Sequence, residues 1–357
     1  METSPAFPLF LYSSAGFFPL GSAHGQGLCI ILRVVMGVSG ARALLRIRPY
    51  IKGTDDEAYI GIFNACFNDY DDIRRLTIED FRKTQEAPSY SLDGLLIAEW
   101  NGIAVGIVDA YVDPLREEPK GFVQSFGVLP RFRRRGIGKE LVRRAVESLK
   151  TRGIKTANAW AQTDRESCIR LYGSFGFREI RAFSMMEADL ASVPSELGEK
   201  KDVAIRKADL ESDGDIQLLN RLDNEAFSEH FNFRPRTVDE TRYMLFEMPW
   251  FKGQNWFLAE EAGNPVGFLG TGIDIGLNEE KNLSWGWILD IGVLKPQRRQ
   301  GVGARLMLHG MRVLRDIGMR NAMLYVDDMN PTGAIKLYEK VGFKVARRNL
   351  TLELRLE

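Results

Sequence analysis

The chain has 357 residues, of which 45% are hydrophobic and 27% are charged, a length and composition that suit two globular domains. Lys plus Arg and Asp plus Glu number 48 each, so the formal net charge is zero and gives no reason to expect nucleic acid or an anionic membrane as a partner. Three widely spaced cysteines suit neither a disulfide framework nor a zinc site, and we expect a reducing, cytoplasmic location.

The first 43 residues differ from the rest. Residues 6–20 are apolar but interrupted by two prolines and a glycine, and no basic residue precedes Arg33. This pattern fits neither a secretory signal nor a membrane helix. Residues 28–36 are compatible with a strand or a short helix, and translation from Met36 is an alternative. We predict that residues 1–43 are a disordered or non-native extension.

The next part of the chain alternates strands with amphipathic helices. Asn101-Gly102 supplies the positive φ angles of a type I′ turn and predicts a hairpin. The predicted strands are 45–50, 95–100, 103–111, 121–129, 155–161 and 177–188. The predicted helices cover 55–68, the segment from Gly136 to a stop at Gly153, and 165–175.

The remaining part repeats this series. The polar residues 192–201 form the predicted linker between domains at 44–191 and 202–357. The elements predicted after the linker are strands at 203–206, 285–294, 321–327 and 343–355, helices at 214–227, 301–317 and 331–341, and a hairpin around Gly263-Asn264. Each domain is therefore predicted to be a mixed α/β unit around a central sheet.

A turn rich in arginine and glycine is the clearest repeated motif. Residues 133–138 (RRRGIG) recur 165 residues later as residues 298–303 (RRQGVG), each time after a Gly-Val-Leu strand end and before an amphipathic helix. Glycines let the backbone approach a ligand, and the free N–H groups and dipole of the helix's first turn favour an anion. The pattern predicts two phosphate-binding loops.

Both loops resemble the acetyl-CoA signature Q/R-x-x-G-x-G/A of the GNAT superfamily of N-acetyltransferases. The tandem layout and residues 226–235 (AFSEHFNFRP) most resemble the mycothiol synthase branch. The resemblance implies an α/β fold (an α+β mixed sheet) of two tandem GNAT-like domains, each with a mostly antiparallel central sheet and flanking helices. The second GNAT signature, N-x-x-A-x-x-L-Y-x-x-x-G-F, is similar to a segment with one extra residue after the Asn, containing Asn330, Ala334, Leu337, Tyr338, Gly342 and Phe343.

The resemblance also implies a mechanism with acetyl-CoA as co-substrate and no metal. The N–H of Val293 would polarise the thioester carbonyl, Tyr338 would protonate the leaving thiolate, and a carboxylate would take a proton from the attacking amine. The implied acetyl-CoA-binding residues of the second domain are Val293, Arg298, Arg299, Gln300, Gly301, Val302, Gly303 and Asn330. Those of the first domain are Val128, Arg133, Arg134, Arg135, Gly136, Ile137 and Gly138.

The general base does not follow from the resemblance. The mycothiol synthase pattern has a glutamate six residues before the valine, where this chain has Trp287 and, in the first domain, Phe122. The glucosaminyl-cysteine acceptor of that branch therefore loses its residue-level support. Asp290 is the predicted base, although strand alternation places it on the face opposite Val293 unless a bulge intervenes. The other candidates are Asp274, Glu279 and Asp327.

Two functional hypotheses stay open. We expect acetyl transfer to a primary amine of a small molecule or peptide, in the second domain, which has Asn330 and Ala334 where the first has Asp164 and Cys168. The alternative is a CoA-binding sensor or regulatory protein with one or both sites inactive. The arginine run at 133–135 as a nucleic-acid patch is a weaker possibility. A monomer or a homodimer is expected.

Some of these residues also have simpler structural explanations. Asn330, followed by Pro331, and Asp164 are predicted to cap the helices that follow them. Tyr338 and Tyr172 also fit core positions of a helix. Structural roles are further expected for two histidines, a buried cysteine and two turn glycines, namely His230, His309, Cys168, Gly176 and Gly342.

Overall fold

The computed structural model describes residues 31–33, 44–194, 203–251 and 253–356. These residues form two compact units. The first unit contains the described residues up to Arg181 and those from Asn349 onward, and the second contains Ala182–Arg348. Compared with the repeats at 44–191 and 202–357, each unit includes the closing strand segment of the other repeat. Most of the predicted extension, with Met36, and most of the predicted linker lie outside the described residues.

Strands and helices follow the predicted series. The strands are β1 (Ile31–Arg33), β2 (Leu44–Pro49), β3 (Leu95–Trp100), β4 (Ile103–Tyr111), β5 (Lys120–Val128), β6 (Thr156–Gln162), β7 (Arg178–Asp189), β8 (Ala204–Lys207), β9 (Asn255–Glu261), β10 (Asn264–Gly272), β11 (Trp285–Val293), β12 (Asn321–Asp327) and β13 (Lys344–Arg355). The helices are α1 (Asp56–Phe67), α2 (Ile78–Thr84), α3 (Ile137–Thr151), α4 (Glu166–Gly173), α5 (Asp213–Phe227), α6 (Val238–Arg242), α7 (Ile275–Lys281), α8 (Val302–Asp316) and α9 (Ala334–Lys340).

Each unit is built on a mostly antiparallel sheet with helices on both faces, which confirms the predicted fold class. The order in the first unit is β1-β2-β3-β4-β5-β6-β13, and the order in the second is β7-β12-β11-β10-β9-β8. In each unit one neighbouring pair is parallel, β5 with β6 and β11 with β12. In the second unit, α8 packs against one face of the sheet and α5 against the other, so that the sheet is buried between two apolar clusters.

The predicted elements are present with bounds shifted by at most three residues, because their apolar residues recur at strand or helix spacing. Asn101 and Gly102 have φ angles of 51° and 80°, as the predicted type I′ hairpin requires. The hairpin predicted around Gly263-Asn264 is present, and its turn lies at Ala262 and Gly263 (φ 49° and 77°). Helices α2, α6 and α7 were not predicted. Strand β1 lies within the segment predicted as an extension.

The parallel strands of each unit separate towards their C-terminal ends. Strand β11 pairs with β12 only from Trp285 to Trp287, and β5 pairs with β6 only from Lys120 to Val123. Leu294 donates its N–H to Val266 O on the β10 side, at 2.9 Å. By alternation, the N–H of Val293 faces the gap beside β12. The separation therefore exposes backbone polar groups at the strand end that precedes each arginine-glycine loop.

Candidate active site

The loop at residues 298–303 joins β11 to α8 through left-handed backbone conformations. Gly301 (φ 84°) is the N-cap residue of α8, and Arg299 has a φ of 65°. No side chain in the described part of the chain caps α8. The N–H groups of its first turn therefore have no intrahelical partner and are available to an anionic ligand.

The two arginines of this loop do different things. Arg298 donates from Nε to Val293 O at 3.0 Å and from Nη2 to Ala226 O at 2.9 Å, so its side chain ties the loop to β11 and α5. Arg299 lies against Gly333, where an added Cβ would stand 3.1 Å from its Nη2. Arg298 therefore supports the loop, whereas the exposed guanidinium of Arg299 lies beside the start of α9.

The first unit has the same loop backbone. Gly136 and Arg134 have φ angles of 81° and 63°, and Arg133 Nε donates to Val128 O at 3.0 Å. The surroundings differ, because the Asp290 position is occupied by Ser125 and Tyr172 is fully buried. Arg135 stacks on Trp100 at 5.6 Å. The first loop thus retains the anion-binding backbone, but it has a serine in place of Asp290 and its tyrosine is fully buried.

A cavity of ≈ 390 Å³ lies beside the second loop, and we call it the loop cavity. Basic side chains from the loop and from α9 line it together with loop glycines and the strand end. Among the lining residues are Val293, Arg298, Arg299, Gly301, Gly303, Lys336 and Lys340. Positive charge together with free backbone N–H groups suits a ligand that carries phosphates.

A second cavity of ≈ 200 Å³, the inner cavity, lies between α5, β11 and β12. It is lined by aromatic residues and by titratable ones, namely Asp223, Arg234, Arg236, Asp290 and Asp327. The inner cavity and the loop cavity share five lining residues, which are Phe227, His230, Ile291, Asn330 and Tyr338. A ligand in one cavity therefore shares a wall with a ligand in the other.

Tyr338 on α9 belongs to that shared wall. Its side chain is 7% exposed. Burial, and after it the nearby Asp290 carboxyl, raises the pKa of Tyr338 well above the usual value of a phenol. Tyr338 therefore keeps its proton at neutral pH, as a general acid must.

Asp290 and Asp223 form a hydrogen-bonded carboxyl pair beside the inner cavity. The Asp223 carboxylate also pairs with Arg236 Nη1 at 3.2 Å. Burial raises the pKa of both carboxyl groups, and Asp223 raises the pKa of Asp290 further. A hydrogen bond between two carboxyl groups needs one proton, and the raised pKa values favour a pair that holds it.

A β-bulge lies next to Asp290 in β11 but not between Asp290 and Val293. The register between β10 and β11 shifts at Gly270/Thr271, opposite Leu289 and therefore before Asp290. Alternation from Asp290 to Val293 is thus intact, and Asp290 lies on the α5 face of the sheet, where it meets Asp223. Of the other candidate bases, Asp274 caps α7 and Glu279 is exposed on α7, whereas Asp327 lines the inner cavity.

Asp223 and Arg236 were missed in the sequence. A signal for Asp223 was present, because it occupies the buried face of α5 with Leu219, Leu222 and Ala226. A carboxylate on the apolar face of an amphipathic helix is rarely buried without a partner. Arg236 carries no such signal, because it lies outside a regular element.

Several predicted roles changed. Asn330 does not cap α9, whose N-cap residue is Gly333; instead Asn330 Oδ1 accepts from Thr332 N at 2.8 Å and stabilises the preceding turn. Asp164 does not cap α4 either, because the N-cap position belongs to Arg165. Gln300 donates to Pro296 O at 2.8 Å, and the side chain of Val302 is buried in the core. Gln300 and Val302 can therefore offer a ligand their backbone N–H groups.

The structural roles predicted for Cys168, Gly176, Gly342 and His309 agree with the structure. Cys168 is fully buried, and Gly176 and Gly342 have φ angles of 92° and 104° in turns that follow helices. His309 packs on Phe257 with ring centroids 4.5 Å apart, whereas His230 lines both cavities. Within the described ranges, no group of three or more His, Cys, Asp or Glu residues is arranged to hold a metal ion. No helix in the part of the chain that the structure describes has the length and apolarity to cross a membrane.

Known proteins resemble this chain in sequence over both units. The sequence matches the Acetyltransferase (GNAT) family over residues 57–177 and 219–343. Mycothiol acetyltransferase from Thermobispora bispora is 33% identical over 236 residues, which cover 66% of this chain and 75% of the relative. The enzyme of the same name from Actinosynnema mirum is 30% identical over 257 residues, which cover 72% of this chain and 82% of the relative.

Solved structures share the fold. A GCN5-related N-acetyltransferase from Sphaerobacter thermophilus superposes with a TM-score of 0.65 at 22% identity, covering 88% of this chain and 96% of that one. A tandem GNAT protein from the clavulanic acid biosynthesis pathway gives a TM-score of 0.62 at 17% identity, covering 88% and 99%. The family match extends over more than half of the sequence and occurs once in each half, so this chain belongs to the GNAT family of acetyltransferases and is a tandem N-acetyltransferase.

Proposed function

We propose that the second unit transfers an acetyl group from acetyl-CoA directly to a primary amine. The observation that carries this proposal is the position of Tyr338 in the wall shared by the loop cavity and the inner cavity. One cavity offers phosphate-binding groups and the other offers a carboxyl pair. A thioester entering from the first and an amine entering from the second would meet at Tyr338.

The chemistry assigns one task to each group. The N–H groups of residues 298–303 and the Arg299 guanidinium bind the CoA phosphates. The N–H of Val293 donates to the thioester oxygen as it gains negative charge during amine attack. The carboxyl pair of Asp290 and Asp223 accepts the proton that the amine loses, and Tyr338 protonates the departing thiolate. The C–S bond breaks, the C–N bond forms, and one proton enters the pair as another leaves the phenol.

The relatives named mycothiol acetyltransferase support a small-molecule amine as the acceptor. The second unit is favoured over the first because Tyr172, the counterpart of Tyr338, is fully buried and Ser125 replaces Asp290. A hydroxyl without access to substrate cannot protonate a leaving group.

The test removes the phenol hydroxyl from one unit at a time. We expect Tyr338→Phe to lower kcat for amine-dependent release of CoA thiol by roughly 10²–10⁴-fold, the usual contribution of a general acid, with little change in the KM for acetyl-CoA. Tyr172→Phe, the same change in the first unit, is the matched control and should leave kcat unaltered.

A loss of kcat in Tyr172→Phe with no change in Tyr338→Phe would assign catalysis to the first unit. Tight acetyl-CoA binding without amine-dependent turnover, across small amines and peptides, would instead indicate a CoA-binding sensor.

A further inference from the structure

Five partly exposed aromatic side chains surround the inner cavity. They come from β7, from α5 and the segment after it, and from β12, and they are Phe183, Phe227, Phe231, Phe233 and Tyr325. The rings of Phe183 and Phe231 lie 6.5 Å apart, and the buried Trp287 stacks on Tyr325 at 5.9 Å. Aromatic rings left partly exposed around one concave surface are a binding site for an apolar ligand.

The charges of this cavity select against anions. Each of its two arginines already pairs with a carboxylate, Arg234 with Glu240 at 2.9 Å and Arg236 with Asp223 at 3.2 Å. The carboxyl pair of Asp290 and Asp223 lies at the end near Tyr338. The three carboxyl groups that line the cavity (Asp223, Asp290 and Asp327) favour an amine, whereas a carboxylate or phosphate on the acceptor would meet arginines that are already paired.

The size of the cavity limits the apolar part of the acceptor. Its volume of ≈ 200 Å³ compares with roughly 150 Å³ for an apolar protein cavity that binds benzene. One aromatic ring with a short chain therefore fills it. The cavity surface is more apolar than polar, so the hydroxyl groups of a sugar would lose water there without regaining all of their hydrogen bonds.

We infer that the acceptor is a primary amine joined through a short chain to an aromatic ring and carrying no anionic group. This inference rests on the proposed function, since it identifies the second substrate of the same site. The amine end lies at the carboxyl pair beside Tyr338, and the ring contacts the five aromatic residues.

The experiment compares four amines with the full chain and saturating acetyl-CoA. We expect kcat/KM for 2-phenylethylamine to exceed that for glucosamine by at least about tenfold, because glucosamine cannot fill the apolar cavity. Phenylalanine, which adds a carboxylate, should also be at least about tenfold poorer. The saturated analogue 2-cyclohexylethylamine should be roughly threefold poorer, since it lacks contacts between aromatic rings.

Two phenylalanine substitutions locate the effect. Phe231→Ala should lower kcat/KM for 2-phenylethylamine by about tenfold or more without changing the KM for acetyl-CoA. Phe246→Ala, at a phenylalanine that is 52% exposed and lines neither cavity, is the matched control and should leave both values unchanged.

The outcomes separate this inference from the proposed function. If glucosamine or phenylalanine is the better acceptor, or if Phe231→Ala behaves like Phe246→Ala, the aromatic acceptor is wrong and amine acetylation stands. If acetyl-CoA binds and neither these amines nor a wider panel increases CoA release, both proposals fail.

Discussion

Asp109 on β4 carries a carboxyl group that the first unit buries almost completely. Gln124 Nε2 donates to its Oδ2 at 3.0 Å, whereas Oδ1 has no hydrogen-bond partner among the described residues. Burial raises the pKa of Asp109 to about 7, against the ordinary 3.8. In the folded protein the neutral acid is therefore favoured, while the unfolded chain releases its proton at much lower pH.

This difference predicts how stability depends on pH. The contribution of Asp109 is fully present below about pH 4 and is lost as pH rises to about 7, because only the unfolded state ionises in that window. The loss is on the order of 4 kcal/mol in the free energy of unfolding. Asp109→Asn should remove this dependence in urea unfolding at pH 4.5 and 7.5. Glu117→Gln, which neutralises an exposed carboxylate of the same unit, should retain it. The prediction would be contradicted if the free energy of unfolding changed equally between the two pH values in both variants.

Single residues of the site were predictable where one motif contained them. Tyr338 and Gly301 belong to motifs with fixed spacing, and the structure places both at the loop cavity. The pairing of Asp290 with Asp223 was not predictable, because it joins a helix and a strand that are far apart in the sequence. The face of Asp290 opposite Val293 was predictable, because strand alternation between these two residues is uninterrupted.

Helices α3 and α8 each begin at a left-handed glycine, and this loop-helix unit is the part of the site that the two units share. The amphipathic pattern of the two helices made their bounds predictable to within two residues. Helix α9 starts three residues later than predicted. There the turn formed by Asn330 and Thr332 competes with the helical conformation, and side chain-to-backbone bonds of this kind are hard to weigh from sequence.

The shared geometry predicts that both loops bind acetyl-CoA and that one supports turnover. Gly301→Ala and Gly136→Ala should each lower the free energy of unfolding by about 1–2 kcal/mol, because an L-residue is strained at φ angles of 84° and 81°. In calorimetric titrations we expect two acetyl-CoA sites per wild-type chain and one in either variant. Only Gly301→Ala should also lose CoA release.

Gly318→Ala provides the control for strain alone. Gly318 has a φ of 91° after α8, and an added Cβ would meet nothing within 4 Å. It should show a similar loss of stability while retaining both sites and full turnover. A single acetyl-CoA site in the wild-type chain would disprove binding by the first loop.

At the scale of the whole molecule, the compact units differ from the sequence repeats because each unit contains the closing strand segment of the other repeat. Residues 183–189 of β7 pair with β12 over seven positions in the second unit, and residues 349–355 of β13 pair with β6 over seven positions in the first. The sequence predicted both strands but not their exchange. Each has the alternating pattern of a closing strand, which does not specify the sheet that the strand joins, so the choice is made by tertiary packing.

The exchange predicts that neither repeat is complete alone. A fragment of residues 203–357 lacks the strand that covers β12 and supplies Phe183 to the inner cavity. A fragment of residues 1–194 lacks the strand that covers β6. Each fragment would expose an unpaired strand edge beside apolar residues, and we expect it to aggregate when expressed alone.

Coexpressed, the two fragments should copurify and recover acetyl-CoA-dependent turnover, because each restores the missing strand of the other. A monomeric fragment of residues 203–357 that is as active as the full chain would show that the exchanged strand is dispensable.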